Sequence, residues 1–411
     1  MRRPTAKPTA RPTGKPESKV RAGSIITAVS FLAVIFGFAV AGAISPDRER
    51  SEMENRPLMQ IPEFSLKSLK DGKFTSDIET YMSDQVFLKD QLVTLKTAAD
   101  RLLMKTYQNG VYFGSDGYYL QDYQENRALV EKNISCINDF ADSVSGKADI
   151  SFLLVPNAVS VLSDKLPAVT QTDDQLDTSK FIKESLSDSI TLCCPFEELK
   201  NAAEKETQVF YRTDHHWTSE GAQIGFESLM TSMGESVPEY SFQTEKLSDF
   251  YGTLYSKAPD ASAKADEIHL YSDPENSVTV NYVSCGGDHD TPPAEWKKPD
   301  GAYVGDSLFA RDPKTQKDKY AVFLGGNFSL IEIETQGESD ENVLIIKDSY
   351  ANAAMPYFCR KYKHISMIDL RYYHMEELSV SEYVSQNDID RVIFLYDIDF
   401  VNSDNNFVWL D

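Results

Sequence analysis

Hydrophobic and polar residues change their spacing several times along the chain, and each change marks an element. Residues 24–45 (SIITAVSFLAVIFGFAVAGAIS) run without a charge. About 20 helical residues cross a bilayer, so this stretch predicts a membrane-spanning helix. Over 74–104, apolar side chains fall at Phe87, Leu88, Leu92, Leu95, Ala98, Leu102 and Leu103, near a helical period. Residues 110–120, with Ser115-Asp116-Gly117 at the centre, predict a hairpin. A helix is expected over 123–145, a buried strand at 150–155, a helix near 177–188 and a strand near 189–194. Val209-Phe210 reads as a short strand feeding a polar octet, and a helix follows over 218–233. The last stretch is the clearest: strand 343–346, helix 350–358, strand 365–369, helix around 376–386, strand 391–396. Such alternation predicts an α/β fold, a parallel sheet flanked by helices with right-handed crossovers. Sites in such sheets form beyond the carboxyl ends of strands.

Composition adds a direction to this. Residues 1–23 carry seven Lys or Arg against Glu17, whereas the whole chain has a net charge of −23. The basic arm has the make-up of a disordered tail. By positive-inside logic it lies in the cytoplasm, with everything after residue 45 outside. A cleaved signal peptide is the rival reading, from the small-x-small Ala39-Val40-Ala41. The expected organisation is thus a tail (1–23), an anchor (24–45), an extracytoplasmic lead-in of helix and hairpin (46–122) and an α/β domain (123–411). Residues 235–320, polar and rich in Pro, Gly and Asp, read as a mixed insertion or cap, with strand-like pieces at 267–271 and 277–283. So acidic a body excludes nucleic-acid phosphates as the natural partner. The five cysteines contain no CxxC pair, so they read as small buried hydrophobes with at most one or two bridges.

The polar octet is Tyr211-Arg212-Thr213-Asp214-His215-His216-Trp217-Thr218. Alternation along an extended segment puts Asp214 and His216 on one face and His215 with Trp217 on the other. An acid beside a histidine at a strand end suits the orienting acid and base of a hydrolase triad. Loop hydrogen bonds and capping are the plainer use of the same residues. Ser349 follows strand 343–346 and opens a helix, where the dipole and free N–H groups favour an oxyanion. Asp and Ser are also the commonest N-caps. Gly305-Asp306-Ser307-Leu308 spells a familiar lipase tetrapeptide, but its flanks supply neither a strong strand nor a helix. A metal site on Asp214, His215 and His216, or on Asp288-His289-Asp290, is disfavoured, because adjacent histidines on opposite faces chelate poorly. No metal or other cofactor is expected.

The stretches TDHHWT, VLIIKDSYANAAMPYF, ISMIDLRYY and RVIFLYDID, with Ser51–Arg56 and 81–90, resemble the family named for its Asp-His-His-Trp motif. That family is related to the alginate O-acetylation branch of SGNH-hydrolase-like proteins. The resemblance implies an SGNH-like fold with Asp214 and His216 ahead of a nucleophilic Ser349. His215, and Lys347 where a glycine often precedes Asp-Ser, depart from the usual SGNH pattern.

The implied chemistry is acetyl transfer: His216 takes the Ser349 proton, Asp214 holds the imidazole, and Ser349 attacks an acetyl ester. Tyr350, Asn352, Asn157, Asn327, His215 and Trp217 are the candidates for oxyanion or substrate contacts, and Tyr211 and Tyr357 for stacking on sugars. The expected substrate is a cell-envelope or secreted polysaccharide, acetylated or deacetylated by a membrane-anchored protein. A transferase needs acetyl groups from a membrane-bound donor partner. The other class of reading is a non-catalytic polysaccharide-binding or assembly protein with a vestigial site.

Overall fold

In a computed structural model, residues 17–51, 53, 56–283, 303–311, 318–373 and 378–410 are described. The chain divides into two compact units, one of residues 1–51 with 56–93 and the other of 52–55 with 94–411. In the first, the helix Glu17–Ile44 contains an apolar run, Gly23–Ile44, long enough to cross a membrane; a signal sequence meets the same test. The single helix expected over 74–104 is two, Lys73–Asp84 and Lys89–Leu102. Between them Gln85 spends its amide on the Arg48 backbone and on Met59 O, and Leu88 turns to φ +56°.

The second unit is built on an eight-stranded sheet. Its strands are β1 (Asp149–Val155), β2 (Ile190–Cys193), β3 (Thr279–Val283), β4 (Tyr303–Gly305), β5 (Leu330–Glu334), β6 (Ser339–Lys347), β7 (Tyr362–Ile368) and β8 (Arg391–Asp397). Their spatial order is β4-β3-β5-β7-β6-β8-β1-β2. From β7 to β2 all pairs are parallel; β5, β3 and β4 extend the sheet antiparallel. Val343 to Ile346, and every residue of β8, are buried. Continuous apolar runs of this kind occur where helices cover both faces. Helix Arg127–Ser143 sends Phe140 edge-on to Phe394, and helix Tyr350–Lys361 packs Phe358 against Phe226 of helix Ser219–Ser232.

Two expectations change here. Val209-Phe210 is no strand: Phe210 and Trp217 form one isolated bridge, and Thr218 N–H returns to Val209 O. The supposed insertion is only partly separate, since 279–283 and 303–305 complete the main sheet. Asp266–Ser272 pairs instead with Gln243–Phe250 in a two-stranded sheet of its own. The expected hairpin stands at Val111–Phe113 and Tyr119–Gln121, with Asp116 and Gly117 both at positive φ.

Register aligns the carboxyl ends of three neighbouring strands. Lys347 of β6 stands beside Leu395 of β8, and Asp397 beside Val155 of β1. Asp348-Ser349, Asp397 and Asn157 therefore gather at one edge of the sheet.

Candidate active site

The turn after β6 is fixed by a carboxylate. Asp348 Oδ1 accepts from Tyr350 N–H at 2.7 Å, and its Oδ2 accepts from Asp397 N–H at 2.7 Å. Ser349, at φ −71° and ψ −15°, opens the helix yet makes no capping bond. Its hydroxyl instead lies 2.7 Å from His216 Nε2.

The histidine arrives on a loop cinched by a second acid. Asp266, buried, accepts from Arg212 N–H (2.9 Å), Thr213 N–H (2.8 Å) and the Thr213 hydroxyl (2.7 Å). Asp214 Oδ1 then accepts from His216 Nδ1 at 2.5 Å and from His216 N–H at 3.0 Å. Its Oδ2 accepts from Thr253 N–H (2.8 Å) and the Thr253 hydroxyl (3.0 Å). A Cβ on Gly252 would stand 2.2 Å from that of Asp214, so only glycine lets this backbone approach. Burial alone would raise the Asp214 carboxyl, but His216, His215 and Thr253 N–H outweigh it and hold it well below the usual carboxylate range. A charged carboxylate only accepts, so His216 carries its proton on Nδ1. Its Nε2 lone pair is left to accept a hydrogen bond from the Ser349 hydroxyl.

Packing fixes the imidazole plane. Tyr320 stacks on His216 at 3.7 Å between ring centroids and 8° between planes, and its hydroxyl donates to Ser349 O at 3.1 Å. Trp217, fully buried, donates Nε1–H to Tyr350 O at 2.9 Å and ties the loop to the serine helix. His215 folds against His216 with ring centroids 3.8 Å apart, so the expectation of opposite faces fails: the segment bends instead of extending. Burial and the neighbouring His216 push His215 down to about 4.

The remaining candidates separate by what their atoms already do. Trp217, Tyr211 and Tyr357 are fully buried and offer sugars no face. Tyr350 is buried too, its hydroxyl donating to His215 O and accepting from Asn157 Nδ2. Asn157 is also spent on Asp397, Gln175 and Asp399, and Asn352 on Lys347, Gly326 O and Asn327. Neither amide is free for an oxyanion. Asn327 Oδ1 accepts from Lys347 Nζ (2.8 Å) and Asn352 Nδ2 (3.1 Å), which leaves its own Nδ2 without a partner among the described residues. Lys347, buried, is pushed down to about 8 by burial, with Asp369 opposing.

Ser307 takes no part in this cluster; its hydroxyl serves the Phe309 backbone beside a separate cavity of about 310 Å³. Asp214, His215 and His216 do bring ligand atoms within 4.8 Å of one another, but both His216 nitrogens and His215 Nδ1 are already hydrogen-bonded. A cation would have to displace those bonds. Asp288-His289-Asp290 lies outside the described residues. Cys136, Cys193, Cys194 and Cys359 are free thiols, and Cys285 also lies outside.

Sequence reasoning missed Thr253, Asp266 and Tyr320, because nothing in the strand that Asp266 opens (Asp266–Ser272) or the 3₁₀ turn that holds Tyr320 (Lys319–Val322) signals contact with the histidine loop. It also missed Asp348 and Asp397, whose position at the ends of apolar strands was a usable signal. Burial and the Asp348 charge raise Asp397 from 3.8 to about 7. The fold therefore favours its protonated form, and that stabilisation is full below about pH 4 and lost as pH rises through about 7. Asp397→Asn, which cannot ionise, is expected to lose less of its thermal midpoint than wild type between pH 5 and 8, the rest of the fall coming from Asp348 and Asp399, both raised to about 6 by burial. Wild type should fall there by about 2–4 °C for each kcal/mol lost. Parallel declines in scanning calorimetry would count against this assignment.

A largely parallel sheet with its polar groups gathered at the carboxyl edge is an α/β fold with its candidate site at the strand ends. The chain belongs to the DHHW family, whose model, described as DHHW protein, matches residues 103–368. A DHHW family protein from Eubacterium siraeum superposes with a TM-score of 0.59 at 22% identity, over 73% of this chain and 94% of that one. PatB1 of Bacillus cereus, solved with a sulfonyl adduct, gives 0.59 at 23% identity, over 73% and 98%. The probable alginate O-acetylase AlgJ of Pseudomonas fluorescens is 24% identical over 174 residues, 41% of this chain and 44% of that one. The chain thus spans less than half the length of the curated relatives it matches.

Proposed function

We propose that the protein is an extracytoplasmic O-acetyltransferase or acetylesterase of a cell-envelope or secreted polysaccharide, tethered by its N-terminal helix. One observation carries the reading: Ser349 Oγ, His216 and Asp214 are hydrogen-bonded in series, at 2.7 and 2.5 Å. Similarity to proteins named alginate O-acetylases supports acetyl as the group moved.

In this mechanism Ser349 Oγ attacks the acetyl carbonyl while His216 Nε2 takes its proton, and Asp214 stabilises the imidazolium. The donors available to the oxyanion are Ser349 N–H and Asn327 Nδ2, neither of which has a partner among the described residues. His216 then returns the proton to the leaving oxygen. A sugar hydroxyl or water next attacks acetyl-Ser349. The tether keeps the protein at the membrane, where a membrane-bound partner supplies the acetyl donor. The test is the full chain in detergent with a chromogenic acetyl ester and a neutral oligosaccharide. Acetylated oligosaccharide by mass spectrometry is the expected result. Chromophore release no faster than in buffer, with no acetylated product, would end this reading.

A further inference from the structure

The first histidine of the motif has a nitrogen that the protein leaves unused. His215 Nδ1 lies 2.7 Å from Thr253 Oγ1, which lies 3.0 Å from Asp214 Oδ2. Asp214 is charged and only accepts, so the Thr253 hydroxyl proton points at it. The reverse arrangement would set two oxygen lone pairs against each other. Thr253 Oγ1 must then accept from His215, which places the proton on Nδ1 and a bare lone pair on Nε2. That Nε2 has no partner among the described residues. That nitrogen is not enclosed by the protein, and with 31% of the side chain exposed it is open to solvent. Tyr350, donating to His215 O, holds the backbone that carries it.

We propose that His215 Nε2 accepts a hydrogen bond from the hydroxyl next to the one that attacks, making the acceptor a saccharide with adjacent hydroxyls. The inference rests on the acetyl-transfer reading of Ser349 and goes on to specify the acceptor. In the transfer step the acceptor oxygen bonds to the carbonyl carbon of acetyl-Ser349, and its proton passes to His216 Nε2. The tetrahedral intermediate then breaks its bond to Ser349 Oγ, which recovers the proton from His216. The attacking hydroxyl has one proton and gives it to His216, so it has none for His215. A neighbouring hydroxyl does, and a diol delivers both donors at a fixed spacing to two imidazoles whose centroids are 3.8 Å apart.

The test compares acetyl transfer to ethylene glycol and to 2-methoxyethanol, which differ in whether the neighbouring oxygen carries a proton. Wild type is expected to favour the glycol, per hydroxyl, by about fivefold to tenfold, the worth of one net hydrogen bond. His215→Phe should abolish that preference, and His215→Gln, whose carbonyl accepts, should recover part of it. His215→Leu replaces the phenylalanine variant if the latter loses the wild-type thermal midpoint. A preference that is absent in wild type, or that survives His215→Phe or His215→Leu, overturns the inference. Mass spectrometry separates the two failures. No acetyl on Ser349 in wild type sinks the transfer reading itself, whereas acetyl-Ser349 with an unaltered preference sinks only the role of His215.

Discussion

Ser349→Ala is expected to lower acetyl-ester cleavage by roughly 10⁴–10⁶-fold, the range seen when a triad nucleophile is removed. The substitution deletes only the oxygen that meets His216 Nε2. The turn itself is held by Asp348, through Tyr350 N–H and Asp397 N–H, so the helix keeps its start. Because the Ser349 hydroxyl caps no backbone N–H, the thermal midpoint should barely move. A stopped assay with a chromogenic acetate, read beside a melting curve, separates lost chemistry from lost fold. Activity within tenfold of wild type would remove Ser349 from the mechanism.

Asp214→Asn is the second large effect, on the order of 10⁴-fold, and its cause is the tautomer. Asp214 presents Oδ1 to His216 Nδ1 and Oδ2 to both Thr253 donors. An asparagine with its oxygen toward His216 turns its NH₂ onto Thr253 N–H and hydroxyl, donor against donor. The flipped amide satisfies Thr253 but donates to Nδ1, which moves the imidazole proton to Nε2 and leaves nothing to accept from Ser349. Either state also leaves a buried donor unmatched, so about 1–3 kcal/mol of stability should go with it. Steady-state kinetics with the same chromogenic acetate measures the loss, and a residual rate near wild type would show that Asp214 orients nothing.

The fold was legible where burial imposes a pattern. The runs around β1, β6, β7 and β8 have apolar residues on both faces, and their helices follow at short, regular intervals. β5 escaped notice because Leu330-Ile-Glu-Ile-Glu alternates only briefly and follows a glycine-rich turn. β3 and β4 lie in polar sequence, where antiparallel pairing rather than hydrophobicity sets their place. For the site, strand-end logic pointed to Ser349, and the Asp-x-His spacing to Asp214 and His216. Side-chain alternation does not hold across this octet, because the loop bends around Asp266 and stacks His215 on His216. Nothing local to Thr253 or Tyr320 announces a contact 39 residues from Asp214 or a ring laid flat on His216. Such contacts come from tertiary packing and carry no periodic signature.

The most direct measurement is covalent labelling by a phenylmethyl sulfonyl fluoride, followed by peptide mass spectrometry. An imidazole that takes the Ser349 proton makes that oxygen the fastest-reacting hydroxyl in the chain. The expected result is one adduct, on the peptide containing Ser349, forming at least a hundredfold more slowly in His216→Ala, about the smallest effect general-base removal produces. Labelling that falls on Ser307 or elsewhere, or that proceeds equally without His216, would contradict the account.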